Sequence, residues 1–150
     1  MVQYRFVTQW FFRAPIEQVW EQIASEEGWG EWLQDFRRVQ VCYAPTSGEK
    51  FFDILYRGDL PYSFHFTLTP THVEAPHHLE LVAHGELEGF GCWTLAEKED
   101  GTAVTYVWEV GVSNPFFNLL TRLPFVKALT ERNHNLTMAR AEKALKELIE

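Results

Sequence analysis

A helical pattern that runs from Asn114-Pro115 to Glu150, directly behind a series of strands, constrains this chain more than any other feature. A helix of that length buries its apolar stripe only by lying against the sheet those strands make. The strand before it, Ala103 to Val112, puts Val104, Tyr106, Trp108, Val110 and Val112 on one face at period two. Asn114 is placed to cap the helix and Pro115 to open it. The inward-facing residues of the preceding chain are large and often aromatic. The combination predicts a curved sheet around a helix, with a cavity between them.

The remaining strands follow the same alternation. In residues 3–13, Tyr4, Phe6, Thr8, Trp10 and Phe12 share one side. Ala14-Pro15 ends that strand, and Ile16, Val19, Trp20 and Ile23 then take helical spacing. Trp29, Trp32 and Leu33, punctuated by Gly28 and Gly30, predict a second short helix. Further strands are expected around Val39–Tyr43, Phe52–Tyr56, Tyr62–Leu68, Leu79–Ala83 and Leu87–Leu95. The turns between them include Ala44 to Gly48, Gly58-Asp59-Leu60-Pro61 and Glu99-Asp100-Gly101. Six strands in succession with short connections make an antiparallel meander, and the first strand brings the sheet to about seven. Pro124 is expected to kink or break the C-terminal helix. Beyond it, Val126, Leu129, Asn133, Leu136, Thr137, Arg140 and Ala144 fall on one helical face, which is expected to meet the sheet.

The 150 residues are read as a single domain, large enough to bury roughly 70% of the unfolded surface without disulfide or metal. A net charge of −8 argues against nucleic acid and against stable association with anionic membranes. No run approaches the ~20 apolar residues of a membrane span, and the alternating N-terminus lacks a signal-peptide core. Cys42 and Cys92 are read as free thiols. The expected location is the cytoplasm.

This order of elements resembles the START/Bet v 1-like superfamily, also called SRPBCC. FRAPIEQVWEQIA at residues 12–24 is similar to that family's first strand and helix. Residues 87–95 (LEGFGCWTL), 101–110 (GTAVTYVWEV) and Asn133-His134 resemble its bacterial polyketide cyclase/dehydrase-like branch. The resemblance spans the chain. It implies an α+β helix-grip fold with a deep pocket between the sheet and the C-terminal helix. Members include lipid carriers, hormone receptors, cyclases, oxygenase domains and chaperone cofactors, and no invariant catalytic motif carries over.

Chemistry-bearing motifs are sparse. His65, His72, His77, His78, His84 and His134 form neither HExxH nor a Cys/His cluster, so no metal and no cofactor is expected. His65 and His84 are nonetheless candidates to point inward. Ser25, Ser47, Ser63 and Ser113 lie in no nucleophile elbow, and Glu109 and Asp53 alternate with apolar rows and read as solvent-facing. The candidate ligand-binding residues are Phe64, Phe66, Trp93, Tyr106, Trp108, Leu129, Asn133, Leu136 and Arg140. Arg140 would anchor a carboxylate or phenolate of the ligand. Phe116, Phe117, Leu120 and Phe125 belong to a segment too apolar for an ordinary surface helix; a lid or simple packing is the expectation, with a homodimer contact and a membrane contact as the alternatives. The expected function is binding or transport of a small hydrophobic or amphipathic molecule. The alternatives are a cyclase/dehydratase-like enzyme using the same cavity and a protein-interaction module through Phe116–Phe125.

Overall fold

The structure, a computed structural model, describes residues 4–60, 62–120 and 122–150. Gln3, read as the start of the first strand, Pro61, read as closing a turn, and Thr121, in the apolar segment, lie outside the described residues. Strand β1 (Tyr4–Phe12) is followed by helix α1 (Ile16–Ala24), a single 3-10 turn and the short α2 (Trp29–Trp32). The meander then runs β2 (Phe36–Tyr43), β3 (Lys50–Tyr56), β4 (Phe64–Glu74), β5 (His78–Gly85), β6 (Leu87–Lys98) and β7 (Gly101–Val112). Helices α3 (Pro115–Leu120) and α4 (Pro124–Ile149) complete the chain. The seven strands form one sheet in the order β1-β7-β6-β5-β4-β3-β2, and every neighbouring pair is antiparallel. This is the α+β helix-grip architecture that the resemblance implies.

The period-two rows face as expected. Tyr4, Trp10 and Phe12 are buried on β1, Phe52 and Ile54 on β3, and Phe64, Phe66 and Leu68 on β4. Glu109 points the other way and pairs with Arg5 across the β1–β7 ladder at 2.6 Å. Asp53 likewise faces outward, toward Arg38 and His65. The two cysteines are free, four strands apart on β2 and β6. Pro124 breaks the C-terminal helix rather than kinking it: α3 ends at Leu120, and Pro124 opens α4 where its missing N–H costs nothing.

The helix face is rotated from the one expected. On α4 the buried residues are Asn133, Thr137, Met138, Ala141, Leu145 and Ile149. Leu129 and Arg140 are exposed, and Leu136 and Ala144 are half-buried at the margin. A volume-sensitive pair of substitutions separates the two faces. Leu145 is 0% exposed and Leu129 49% exposed. Leu145→Ala is expected to lower the urea-unfolding free energy by about 2–5 kcal/mol through lost burial and a residual cavity. Leu129→Ala should change it by less than about 0.5 kcal/mol. Equal losses would restore the expected face.

Candidate functional site

Between the concave face of the sheet and α4 lies a cavity of about 90 Å³. One wall is a run of rings. Trp93 on β6 stacks on Tyr106 of β7, with centroids 3.9 Å apart and planes at 18°. Trp108 follows Tyr106 at 6.2 Å and meets Phe66 of β4 at 6.2 Å. Trp10 and Trp32 buttress Trp93 at 5.7 and 6.2 Å. Gly91 makes this wall possible. It pairs with Trp108 in the β6–β7 ladder, and a Cβ there would sit 3.1 Å from the Trp108 ring and 3.2 Å from the Tyr106 hydroxyl. Tyr106 is half-buried and lines the cavity. Burial pushes its phenol pKa upward, and its hydroxyl has no hydrogen-bond partner among the described residues.

The roof is polar in one strip. Thr130, Asn133, His134, Thr137 and Met138 of α4 reach the cavity. Asn133 Nδ2 donates to the Tyr56 hydroxyl at 2.7 Å, which lies 3.0 Å from the Thr137 hydroxyl. Thr137 Oγ1 donates to Asp35 Oδ2 at 2.5 Å. Since Thr137 gives its proton to Asp35, Tyr56 must donate to Thr137. The chain therefore runs one way, from amide to phenol to hydroxyl to buried carboxylate. Arg140 binds the same Asp35 oxygen at 3.0 Å and Asp59 at 2.5 Å. Asn133 Oδ1 accepts the Asp59 backbone N–H at 2.8 Å. Gly58 lies directly beneath Asn133, where any side chain would overlap the amide. Burial, reinforced by the Asp35 charge, pushes the Tyr56 pKa up to about 12.

His134 has the opposite history. Its ring stacks on Phe6 at 3.8 Å and 17°, and its Nε2 is buried without a partner. Burial pulls its pKa down to about 4, so the imidazole is neutral. The Tyr4 hydroxyl is likewise buried and unpartnered.

Of the expected ligand-binding residues, Phe64, Phe66, Trp93, Tyr106, Trp108 and Asn133 line the cavity, whereas Leu129, Leu136 and Arg140 do not. Arg140 misses it because Asp35 and Asp59 hold its guanidinium at the rim. In the expected lid, Phe116 and Phe125 are 65% and 72% exposed, Leu120 is half-buried, and Phe117 packs on Tyr62 at 5.3 Å. His65 and His84 face outward, against Asp53 and Glu88. Sequence reasoning missed Tyr56, His134 and Asp35. Tyr56 was visible in the alternation Phe52, Ile54, Tyr56, and His134 in the Asn133-His134 pair that shares in the family resemblance, whereas a lone aspartate carries no such signal. One group of metal-ligating side chains comes together among the described residues, His78, Glu80 and Cys92, on the sheet face away from the cavity.

A curved sheet closed by a helix over an aromatic cavity, with no charged side chain in its lining among the described residues, defines a helix-grip protein. The chain belongs to the family described as polyketide cyclase / dehydrase and lipid transport, which it matches over residues 3–150. Membership supports a ligand-binding or cyclase-like role without choosing between them. No curated protein matches. Among solved structures, a START superfamily protein from Mycobacterium smegmatis is similar at 11% identity and a TM-score of 0.73, covering 97% of this chain and 96% of the other. A protein from Thermus thermophilus is similar at 16% identity and a TM-score of 0.72, covering 94% and 96%. The di-domain ARO/CYC BexL from the BE-7585A biosynthetic pathway is similar at 16% identity and a TM-score of 0.68, with 94% of this chain matching 49% of that one. Identities this low show the fold alone.

Two outcomes test the polar strip. Arg140→Met leaves the Asp35 carboxylate, whose side chain is 8% exposed, with one partner fewer. The expected loss of stability is about 1–3 kcal/mol, moderated because the guanidinium itself is partly in water. Equilibrium unfolding in urea measures it, and an unchanged midpoint would remove the rim from the account. His134 is depressed from 6.5 to about 4 in the fold. The unfolded chain then binds more protons than the native one between those values, so stability is full above pH ~6.5 and is lost as pH falls toward 4. The stability advantage of wild type over His134→Phe is expected to shrink by about 3 kcal/mol between neutral pH and pH ~4. A pH-independent difference would mean that the imidazole is solvated.

Proposed function

We propose that this protein binds a small, neutral, mostly apolar molecule carrying a ring system and one hydroxyl or carbonyl group, and that it holds or carries this molecule rather than transforming it. The carrying observation is the direction in which the cavity moves its titratable groups. Proton transfer is fastest when the catalytic pKa lies near the working pH. Here burial drives Tyr56 to about 12, Tyr106 upward and His134 to about 4. None is poised to move a proton near neutrality, and all three are held neutral there. No Asp, Glu, Lys or Arg lines the cavity among the described residues. An uncharged aromatic wall with an unpartnered phenol suits a neutral amphiphile. The two free cysteines favour a reducing, cytoplasmic setting.

The volume bears on how the ligand enters. About 90 Å³ is below the 150 Å³ or so that admits benzene and well below the roughly 300 Å³ at which ligand pockets begin. Filling the cavity therefore requires its walls to move. The aromatic contacts Phe117–Tyr62 and Tyr62–Phe64, each 5.3 Å, tie α3 to the cavity lining. Pro115 and Pro124 bracket the segment, which suits α3 to act as the lid.

The cyclase/dehydratase-like reading is favoured by the one-way chain from the Tyr56 hydroxyl through Thr137 to the Asp35 carboxylate, which has the form of a proton path. The interaction reading, including a homodimer, is favoured by the exposure of Phe116, Leu119, Leu123 and Phe125. Native mass spectrometry of freshly purified protein separates these three: a co-purified neutral amphiphile, a substrate–product pair, or a dimer with no ligand.

An apolar fluorophore is expected to bind and quench tryptophan emission. Trp93→Phe and Trp108→Phe should each reduce the quenching. Tyr106→Phe should leave the apolar probe unaffected while weakening a hydroxyl- or carbonyl-bearing ligand by about 0.5–1.5 kcal/mol, the scale of one neutral hydrogen bond. Equal weakening of both would mean that the phenol only shapes the wall.

A further inference from the structure

The outer face of the same sheet carries an arrangement that local sequence spacing conceals. Glu80 on β5 sits opposite His72 on β4 and opposite Cys92 on β6. His78, two residues before Glu80, shares its face, since the alternating Leu79 and Leu81 are the buried residues. A bulge between Pro70 and His72 sets the register that brings His72 into this row. The result is two imidazoles, one carboxylate and one thiol drawn from three adjacent strands.

We propose that His78 Nε2, Glu80 Oε1 and Cys92 Sγ, with His72 as fourth ligand, hold a zinc-class divalent ion on this face. The distances fit the ion. His78 Nε2 lies 3.4 Å from Glu80 Oε1 and 3.8 Å from Cys92 Sγ. Tetrahedral zinc with ordinary bond lengths needs about 3.4 Å between nitrogen and oxygen ligands and about 3.6 Å between nitrogen and sulfur. All three ligand atoms lie within 4.8 Å of one another. An ion pair accounts for His78 and Glu80 but not for the thiol beside them. The His72 and His78 ring centroids are 5.6 Å apart, against about 5.2 Å for two imidazoles on one tetrahedral ion. His72 Nε2 now faces Glu74 at 3.1 Å. Its side chain is 49% exposed, so turning it onto the ion meets little obstruction, and Glu74 is left to orient its ring. One sulfur and two imidazole nitrogens select zinc or cobalt over magnesium or calcium, whose preferred ligands are oxygens. The bound ion would pin β4, β5 and β6 together.

The test uses the untagged full chain, reduced, stripped with a chelator and titrated with cobalt(II) alone. The expected result is a thiolate-to-cobalt charge-transfer band in the near ultraviolet that saturates at one ion per chain and is bleached by an equivalent of zinc. Zinc should also raise Tm. Cys92→Ser should abolish the band, and Cys42→Ser, four strands away, should keep it. His72 is exposed, so His72→Gln tests the site without threatening the fold, and it should weaken zinc binding by more than about tenfold. No band with cobalt in large excess, a band that survives Cys92→Ser, or unchanged zinc affinity in His72→Gln would overturn the proposed ligand set.

Discussion

The Asp35 carboxylate decides how the long helix lies on the sheet. A buried charge must be met by donors, or the fold loses several kcal/mol. Asp35 is met by Thr137 and Arg140, both from α4 and about one turn apart. Its backbone carbonyl also accepts from Arg57 N at 2.8 Å, tying the start of β2 to the end of β3. A helix holding Asp35 in this way has little freedom to roll. Asn133 and Met138 are then directed into the cavity, while Leu129 is left in solvent. The Gly58 position adds a second lock, because the Asn133 amide fills the place a side chain would take.

That constraint explains which parts of the structure were legible in the sequence. On strands, one residue in two faces inward whatever the detail of packing, so the alternation placed Phe64, Phe66, Trp93, Tyr106 and Trp108 on the cavity side without reference to any partner. A helix offers no such binary choice. Its apolar residues, Leu129, Leu136 and Ala144 among them, gave one rotation. The observed burial of Met138, Ala141, Leu145 and Ile149, with Thr137 and Arg140 held on Asp35, gives another, a fraction of a turn away. The deciding partner, Asp35, is isolated between Leu33 and Phe36 and matches no motif. The outer-face group was hidden for a related reason. His72, His78, Glu80 and Cys92 become neighbours only through the β4–β5 and β5–β6 registers, which include a bulge.

Cavity chemistry and fold stability pull on the same groups. The enclosure that makes the aromatic wall apolar also desolvates Tyr56, Tyr106 and His134, and desolvation always favours the neutral form. Catalytic sites use a neighbouring charge to bring such groups back toward neutrality. The nearest charge here, Asp35, pushes the Tyr56 pKa further up, and Arg140 only weakly opposes it. The polar strip is therefore suited to hydrogen bonding with a neutral ligand group. Proton transfer along it would first require a charge that the site, as built, does not direct inward.

The two faces of β5 and β6 divide the work between fixed and adjustable parts. Leu81 and Trp93 line the cavity, and the residues just before them in sequence, Glu80 and Cys92, face the other side of the sheet. An ion gripped on the outside would stiffen the strands that carry the aromatic wall. The sheet already has every central strand paired on both sides, so it is the part least able to yield. Expansion for a ligand must then fall on the roof. On the helical side, α4 is held by Asp35, whereas α3 is a six-residue helix with Phe116 in solvent and no buried residue, and only the proposed lid reading gives it a part in that expansion. On the proposed carrier reading, ligand size would be set by how far α3 lifts, and ligand chemistry by the aromatic wall that stays in place.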